Sequence, residues 1–206
     1  MALMYTPPAF AVDENDAWGV VAEAGAGMFI RQSESGLVSV FAPVTLSDDR
    51  RVLRTHIAKA NAWWKGIDVD TEVLIIFLAA SAYVSPTNYP SRLDGAQHVP
   101  TWNYVAAEVR GRATVVADRD WLHDQTGAVT QRFEAGRDPE WHVSETSAEY
   151  LEKQYHAIVG IEVQVTSIEG KAKLSQNRLE PDREQVRAAL RAGAPADQVV
   201  ADWMDR

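Results

Sequence analysis

Two segments of this chain are long, rich in β-branched and aromatic residues, and free of proline: WNYVAAEVRGRATVVA at 102–117 and AIVGIEVQVTSIEGKAKL at 157–174. The second alternates apolar residues at Ile161, Val163 and Val165, the period of a strand with one buried face. Ordinary strands span about 5–6 residues. Strands of two to three times that length are typical of sheets that curl, so these two segments predict a mostly antiparallel barrel.

The remaining pattern decorates that sheet. Asp13 predicts a capped helix to about Ala24, and GMFIRQ (27–32), SESG (33–36) and LVSVFAPVTL (37–46) read as a β-hairpin. A short strand at 51–55 and a helix at 57–66 are expected next, then strands at 71–80 and 82–86. Helices are predicted from Asp118 to Phe133, over 146–156, and from Pro181 to Gly193, with Gly111 marking a bulge or bend in its strand. About seven strands with peripheral helices result, in a single domain over 1–177 that carries a helical extension over 178–206. A doubly wound α/β fold is disfavoured, because strands and helices do not alternate.

Composition removes several classes of function. With no cysteine among 206 residues, disulfides, iron–sulfur clusters and thiolate zinc sites are excluded. The five histidines are scattered, so no local metal pair is expected. The longest apolar run, VLIIFLAA (73–80), is strand-sized, and MALMYTPPAF has no basic, apolar leader; a cytoplasmic protein is expected. A formal charge of −9 argues against direct nucleic-acid binding. The row Arg183, Arg187, Arg191 lies along one face of the last predicted helix, but no preceding helix–turn accompanies it.

Candidate chemistry is concentrated in three places. THIAKANAWW (55–64) sets Thr55, His56, Lys59 and Asn61 where a strand is expected to pass into a helix. Free N–H groups at a helix start, with a lysine one turn in, suit a phosphate; the same residues also suit a plain capped helix with a solvated lysine. VPTWNY (99–104) presents Trp102 and Tyr104 on one strand face and Asn103 on the other, as either a heteroaromatic wall or a satisfied core corner. KLSQN (173–177) offers Lys173, Ser175 and Gln176, with Lys171 on the same face as Lys173. No nucleophile motif, phosphate loop or dinucleotide fingerprint is present, and no catalytic residue is assigned; GAGMF (25–29) precedes a strand instead of following one.

The order of MYTPPAF (4–10), HIAKAN (56–61), AYVSPTNY (82–89), VPTWNY (99–104), AIVGIEV (157–163) and KLSQN (173–177) resembles the PaiB-like family, bacterial proteins described as FMN-binding negative transcriptional regulators. The resemblance implies an FMN-binding split β-barrel related to pyridoxamine-phosphate oxidases and flavin reductases, acting as a homodimer with flavin between subunits. It implies that Thr55, His56 and Lys59 meet the flavin phosphate, with Asn61 nearby, and that Trp102, Asn103, Lys173 and Gln176 line the same groove. A regulator or flavin-linked sensor is the implied role, with a flavin-dependent oxidoreductase as the alternative. The family pattern often carries a hydroxyl and an imidazole where this chain has Val40 and Phe41.

Overall fold

The computed structural model describes residues 4–206. In chain order it contains β1 (Ala11–Val12), α1 (Glu14–Ala24), β2 (Ala26–Ser33), β3 (Gly36–Pro43), β4 (Thr45–Leu46), β5 (Val52–Ala58), β6 (Glu72–Val84), β7 (Thr101–Val116), α2 (Arg119–Glu134), α3 (Ala148–Ala157), β8 (Ile158–Lys173), α4 (Glu180–Arg191) and α5 (Pro195–Met204). The strand order is β3-β2-β6-β7-β8-β5-β4, with β1 paired to β8. The β1–β8, β2–β3, β4–β5 and β5–β8 pairs are antiparallel, and β3 and β4 end the ladder, so it does not close on itself. No described helix is long and apolar enough to cross a membrane.

The chain forms two compact units: Gly25–Ile75 with Val109–Ser167, and 4–24 with Ile76–Glu108 and Ile168–Arg206. In the first, Asp118 Oδ1 accepts the Trp121 N–H at 2.8 Å and starts α2. Trp121 then lies on β8 at Gly160, where an added Cβ would come within 2.2 Å of the indole ring. Gln125 ties the same helix to the strands, accepting from the Thr45 hydroxyl and donating to the Arg54 carbonyl. Gly111 serves close approach too: a Cβ there would sit 2.3 Å from the Gln164 carbonyl oxygen, and β7 runs through this point without interruption. Phe29, Leu53, Trp63, Ile75, Val109, Ile161 and Val163 are buried in this unit.

The second unit buries Trp18, Val20, Phe77, Tyr89, Val105, Val186, Leu190 and Val200. Here the α4 residue Asp182, only 2% exposed, accepts the Ser91 backbone N–H and hydroxyl. Trp203 on α5 donates its indole N–H to Glu23 on α1 at 2.8 Å.

Four expectations are corrected. The helix expected over 57–66 is absent: β5 continues to Ala58, with His56, Ile57 and Ala58 in register with Gly160, Val159 and Ile158, and only a three-residue 3-10 turn, Ala62–Trp64, follows. Partners on β8 override the helical propensity of an alanine-rich stretch. The strands expected over 71–80 and 82–86 are one strand, β6. Beyond Gly193 the chain makes a further helix, α5, and the strands number eight instead of about seven.

Candidate functional site

The predicted residues fall into two clusters, one in each unit. In the first, Thr55 and His56 are neighbours on β5 and therefore point to opposite faces. The buried Thr55 hydroxyl donates to the Pro43 carbonyl at 2.7 Å. His56 shares its face with Gly160, where Trp121 packs; burial lowers its pKa, and its Nδ1 is buried without a hydrogen-bond partner. With β5 extended through this stretch, Thr55 and His56 do not cap a helix.

Lys59 and Asn61 form the turn that follows. Lys59 N–H donates to the Ala157 carbonyl at 2.8 Å, and its exposed ammonium donates to the His156 carbonyl at 2.9 Å. The Asn61 Oδ1 caps the Trp63 N–H at 2.9 Å, and the Trp64 indole closes the turn on the Lys59 carbonyl. The ammonium and the Asn61 amide nitrogen thus retain N–H donors for a ligand.

The residue that holds this turn was not singled out from sequence. Arg31, on β2 and 5% exposed, donates to the carbonyls of Gln32, Trp63 and Lys65, and its guanidinium lies 5.4 Å from the Trp63 ring centroid. Burial lowers its pKa. The available signal was an arginine two residues from Phe29, and therefore on the same, inward face of β2. A cavity of about 1170 Å³ opens beside it, lined by Lys65 and Arg112 but also by Glu34, Asp68, Asp70 and Glu72. Asn61 lines this cavity too, but carboxylates outnumber the cations there, so the donor of the turn that suits a phosphate is the Lys59 ammonium, which lies outside the cavity lining.

The second cluster joins the start of β7 to the end of β8. Asn103 is fully buried, and its amide exchanges hydrogen bonds with the Ser175 hydroxyl at 3.1 and 3.2 Å. Ser175 takes φ 64°, a left-handed conformation uncommon for a non-glycine residue, and Gln176 braces the same turn by accepting from Leu174 N–H and donating to the Ala172 carbonyl. Asn103 and Gln176 therefore shape the turn. Lys173 donates to the Thr101 hydroxyl and the Trp102 carbonyl, while burial, then Lys171 and Arg178, lower its pKa. Trp102 is 54% exposed and meets Tyr83 edge-on, with ring centroids 6.2 Å apart.

In the same unit Ser91, His98 and Asp182 also converge, with His98 Nε2 2.7 Å from the Ser91 oxygen. Burial works to raise the Asp182 pKa, yet the Ser91 bonds, with His98 and Arg178 nearby, hold it below the usual value. The Ser91 proton goes to that carboxylate, so the imidazole donates to the hydroxyl instead of activating it. The group is a loop clasp, in contrast to a nucleophile with its base.

The described residues include no group of three or more metal-ligating side chains. What they provide is a lysine-rich, aromatic corner and an exposed turn with spare donors, on a mainly β, mostly antiparallel split barrel with peripheral helices. Two solved structures share this fold. The flavocytochrome Anf3 of Azotobacter vinelandii aligns with TM-score 0.61 at 10% identity, covering 85% of this chain and 75% of that one. Protein Rv2991 of Mycobacterium tuberculosis aligns with TM-score 0.57 at 10% identity, covering 85% and 94%. Residues 4–167 match the family described as "Putative FMN-binding domain", and the chain belongs to that family, the PaiB-like proteins. Its relative "Protease synthase and sporulation protein PAI 2" of Bacillus subtilis is 29% identical over 182 residues, which span 87% of this chain and 85% of the relative.

FMN is the cofactor that this membership assigns, and the residues present fit it. Lys171, only 8% exposed, and Lys173 form no ion pair with a carboxylate among the described residues, and the Lys59 ammonium is only partly committed. At the departure from the family pattern, Val40 is half-buried and Phe41 is 65% exposed, in register with Met28. These apolar side chains supply no polar contact.

Proposed function

We propose that this chain is a cytoplasmic, homodimeric FMN-binding sensor that represses transcription through a partner instead of touching DNA itself. The Lys59–Asn61 turn is the proposed phosphate contact, with Thr55 and His56 setting the strand from which it springs. In the other unit, the Trp102–Lys173 corner, held by Asn103 and Gln176, is taken by itself as the proposed contact for a flavin ring. FMN supplies a reversible two-electron couple when bound; the side chains named here bind and orient it.

One observation carries the indirect route. The arginine row on α4 is closed onto the protein's own carboxylates: Arg183 on Glu180, Arg187 on Asp205, and Arg191 on Asp202 and Asp205. In a chain of net charge −9, that leaves this face without the cation excess that phosphate contact requires. The test is fluorescence anisotropy of labelled duplex DNA with the FMN-loaded dimer across a salt series. No salt-dependent binding is expected; tight, salt-sensitive binding abolished by replacing Arg183, Arg187 and Arg191 would overturn the reading.

A second reading, a flavin-dependent oxidoreductase, is favoured by the half-exposed Trp102 and Tyr83 pair, which leaves an aromatic face open to a second reactant. Anaerobic bleaching of bound FMN by a nicotinamide nucleotide would support it over the sensor.

A further inference from the structure

We infer that Lys171 and Lys173 supply the counter-charge for the electron-rich pyrimidine edge of the FMN ring, and thereby set how readily the bound flavin accepts electrons. The inference rests on the FMN-binding reading and goes beyond it by assigning a direction to the cofactor and a redox role to two lysines.

A cation as buried as Lys171 normally has a carboxylate partner. Here its ammonium donates to the Tyr5 carbonyl at 2.9 Å and lies 5.6 Å and 5.4 Å from the ring centroids of Tyr5 and Tyr104. Lys173 is likewise bonded only to neutral oxygens, those of Thr101 and Trp102. The third cation, Arg178, lies over the Tyr89 ring at 5.1 Å. Neither lysine forms an ion pair among the described residues, although the chain carries 29 acidic side chains, whereas Arg178 lies near enough to the Asp182 carboxylate to help lower its pKa. Leaving positive charges unneutralised together, partly out of water, is unfavourable unless a ligand brings negative charge to them.

The surroundings indicate which part of FMN that is. Lys173 is bonded to the carbonyl of Trp102, whose half-exposed indole stands edge-on to Tyr83. Flat aromatic surface beside cations suits a flat, electron-rich ring edge better than a tetrahedral phosphate. A hydride from a reduced nicotinamide nucleotide, which leaves as the oxidised nucleotide, would bring the two electrons and one proton that give the anionic reduced ring. The added negative charge spreads over the pyrimidine nitrogen and carbonyl. Nearby ammonium groups therefore favour the reduced ring over the oxidised one.

The experiment follows FMN and riboflavin binding by fluorescence quenching, and the midpoint potential of bound FMN against indicator dyes, in the full chain and in Lys173→Met, Lys171→Met and Lys173→Arg. Each methionine variant is expected to lose about tenfold in preference for reduced over oxidised FMN, a fall of about 30 mV for a two-electron couple. Lys173→Arg should stay near the parent potential, and any affinity change should appear equally with riboflavin. An unchanged potential in both methionine variants overturns the inference. So does an affinity loss seen with FMN but not riboflavin, which would move the lysines to the phosphate. If the parent chain quenches neither flavin, the FMN reading fails and this inference fails with it. If one methionine variant does not melt cooperatively, the potential of the other decides between these outcomes.

Discussion

The turn after β5 and the corner between β7 and β8 use positive charge in opposite ways. At the turn, the buried cation is Arg31, spent on the carbonyls of Gln32, Trp63 and Lys65; the cation left for a ligand, Lys59, is exposed. At the corner, neutral side chains hold the backbone, with Asn103 against Ser175 and Gln176 across its own turn, while Lys171 and Lys173 stay unneutralised. One region consumes its buried charge to keep its shape. The other keeps its shape by neutral bonds and reserves its charge.

The sharpest way to break this contrast is Arg31→Met. It strips donors from three carbonyls and leaves the 3-10 turn unsupported, which should cost about 3–5 kcal/mol, since each unmet buried acceptor costs about 1–3 kcal/mol. Urea denaturation measures it; a loss below about 1 kcal/mol would mean that water replaces the guanidinium and that the turn stands by itself. Lys59→Ala should barely affect stability. It should instead weaken FMN by about 1.5–3 kcal/mol, the range for a charged hydrogen bond, with riboflavin affinity unchanged. Equal losses for both flavins would remove the phosphate from this turn.

At the corner, Asn103→Ala should cost about 1–3 kcal/mol, because Ser175 loses both bonds while held in the left-handed region. Thermal melting gives the stability change. The FMN spectrum should shift as well if this turn aims Lys173, whereas an unaltered spectrum would restrict Asn103 to holding the fold.

Much of the sheet was legible because its signals are local. Asp118 before a helical period marks α2, and SESG between two alternating runs marks the β2–β3 hairpin. The stretch HIAKAN misleads because its alanines and lysine favour a helix, while the hydrogen bonds of His56 to Ala58 are decided by β8, about a hundred residues later in sequence. The helix α5 has a readable start in Pro195 and Asp197, but its apolar face, Val200 and Trp203, is short and follows Gly193, which marks a stop. Site residues were legible by type but not by role. The sequence shows that Asn103 and Lys173 are polar at strand ends; only the fold shows that Asn103 braces a turn and that Lys173 lacks a counter-ion. Arg31 was the hardest to find, since a single arginine in an apolar strand usually lies on the outer face.

The smallest expected effect tests the region that reserves nothing. His56 has a lowered pKa because burial disfavours its charged form, and its Nδ1 has no partner to accept a new proton. In the unfolded chain the ring protonates near its ordinary value of about 6.5. The unfolded state thus binds the extra proton first. The contribution of neutral His56 is complete above about pH 6.5 and is lost as pH falls from there through the lowered folded value, with a slope of at most about 1.4 kcal/mol per pH unit for one proton. Urea midpoints measured from pH 7.5 down to 5.0 should show this decline, and His56→Gln, which cannot take up a proton, should flatten it. If the parent and the variant decline in parallel, another group titrates. The imidazole would then have an acid-side partner on β5 or the helix-covered face of β8, and the contrast between a turn that spends its charge and a corner that keeps it would need a third, pH-dependent member.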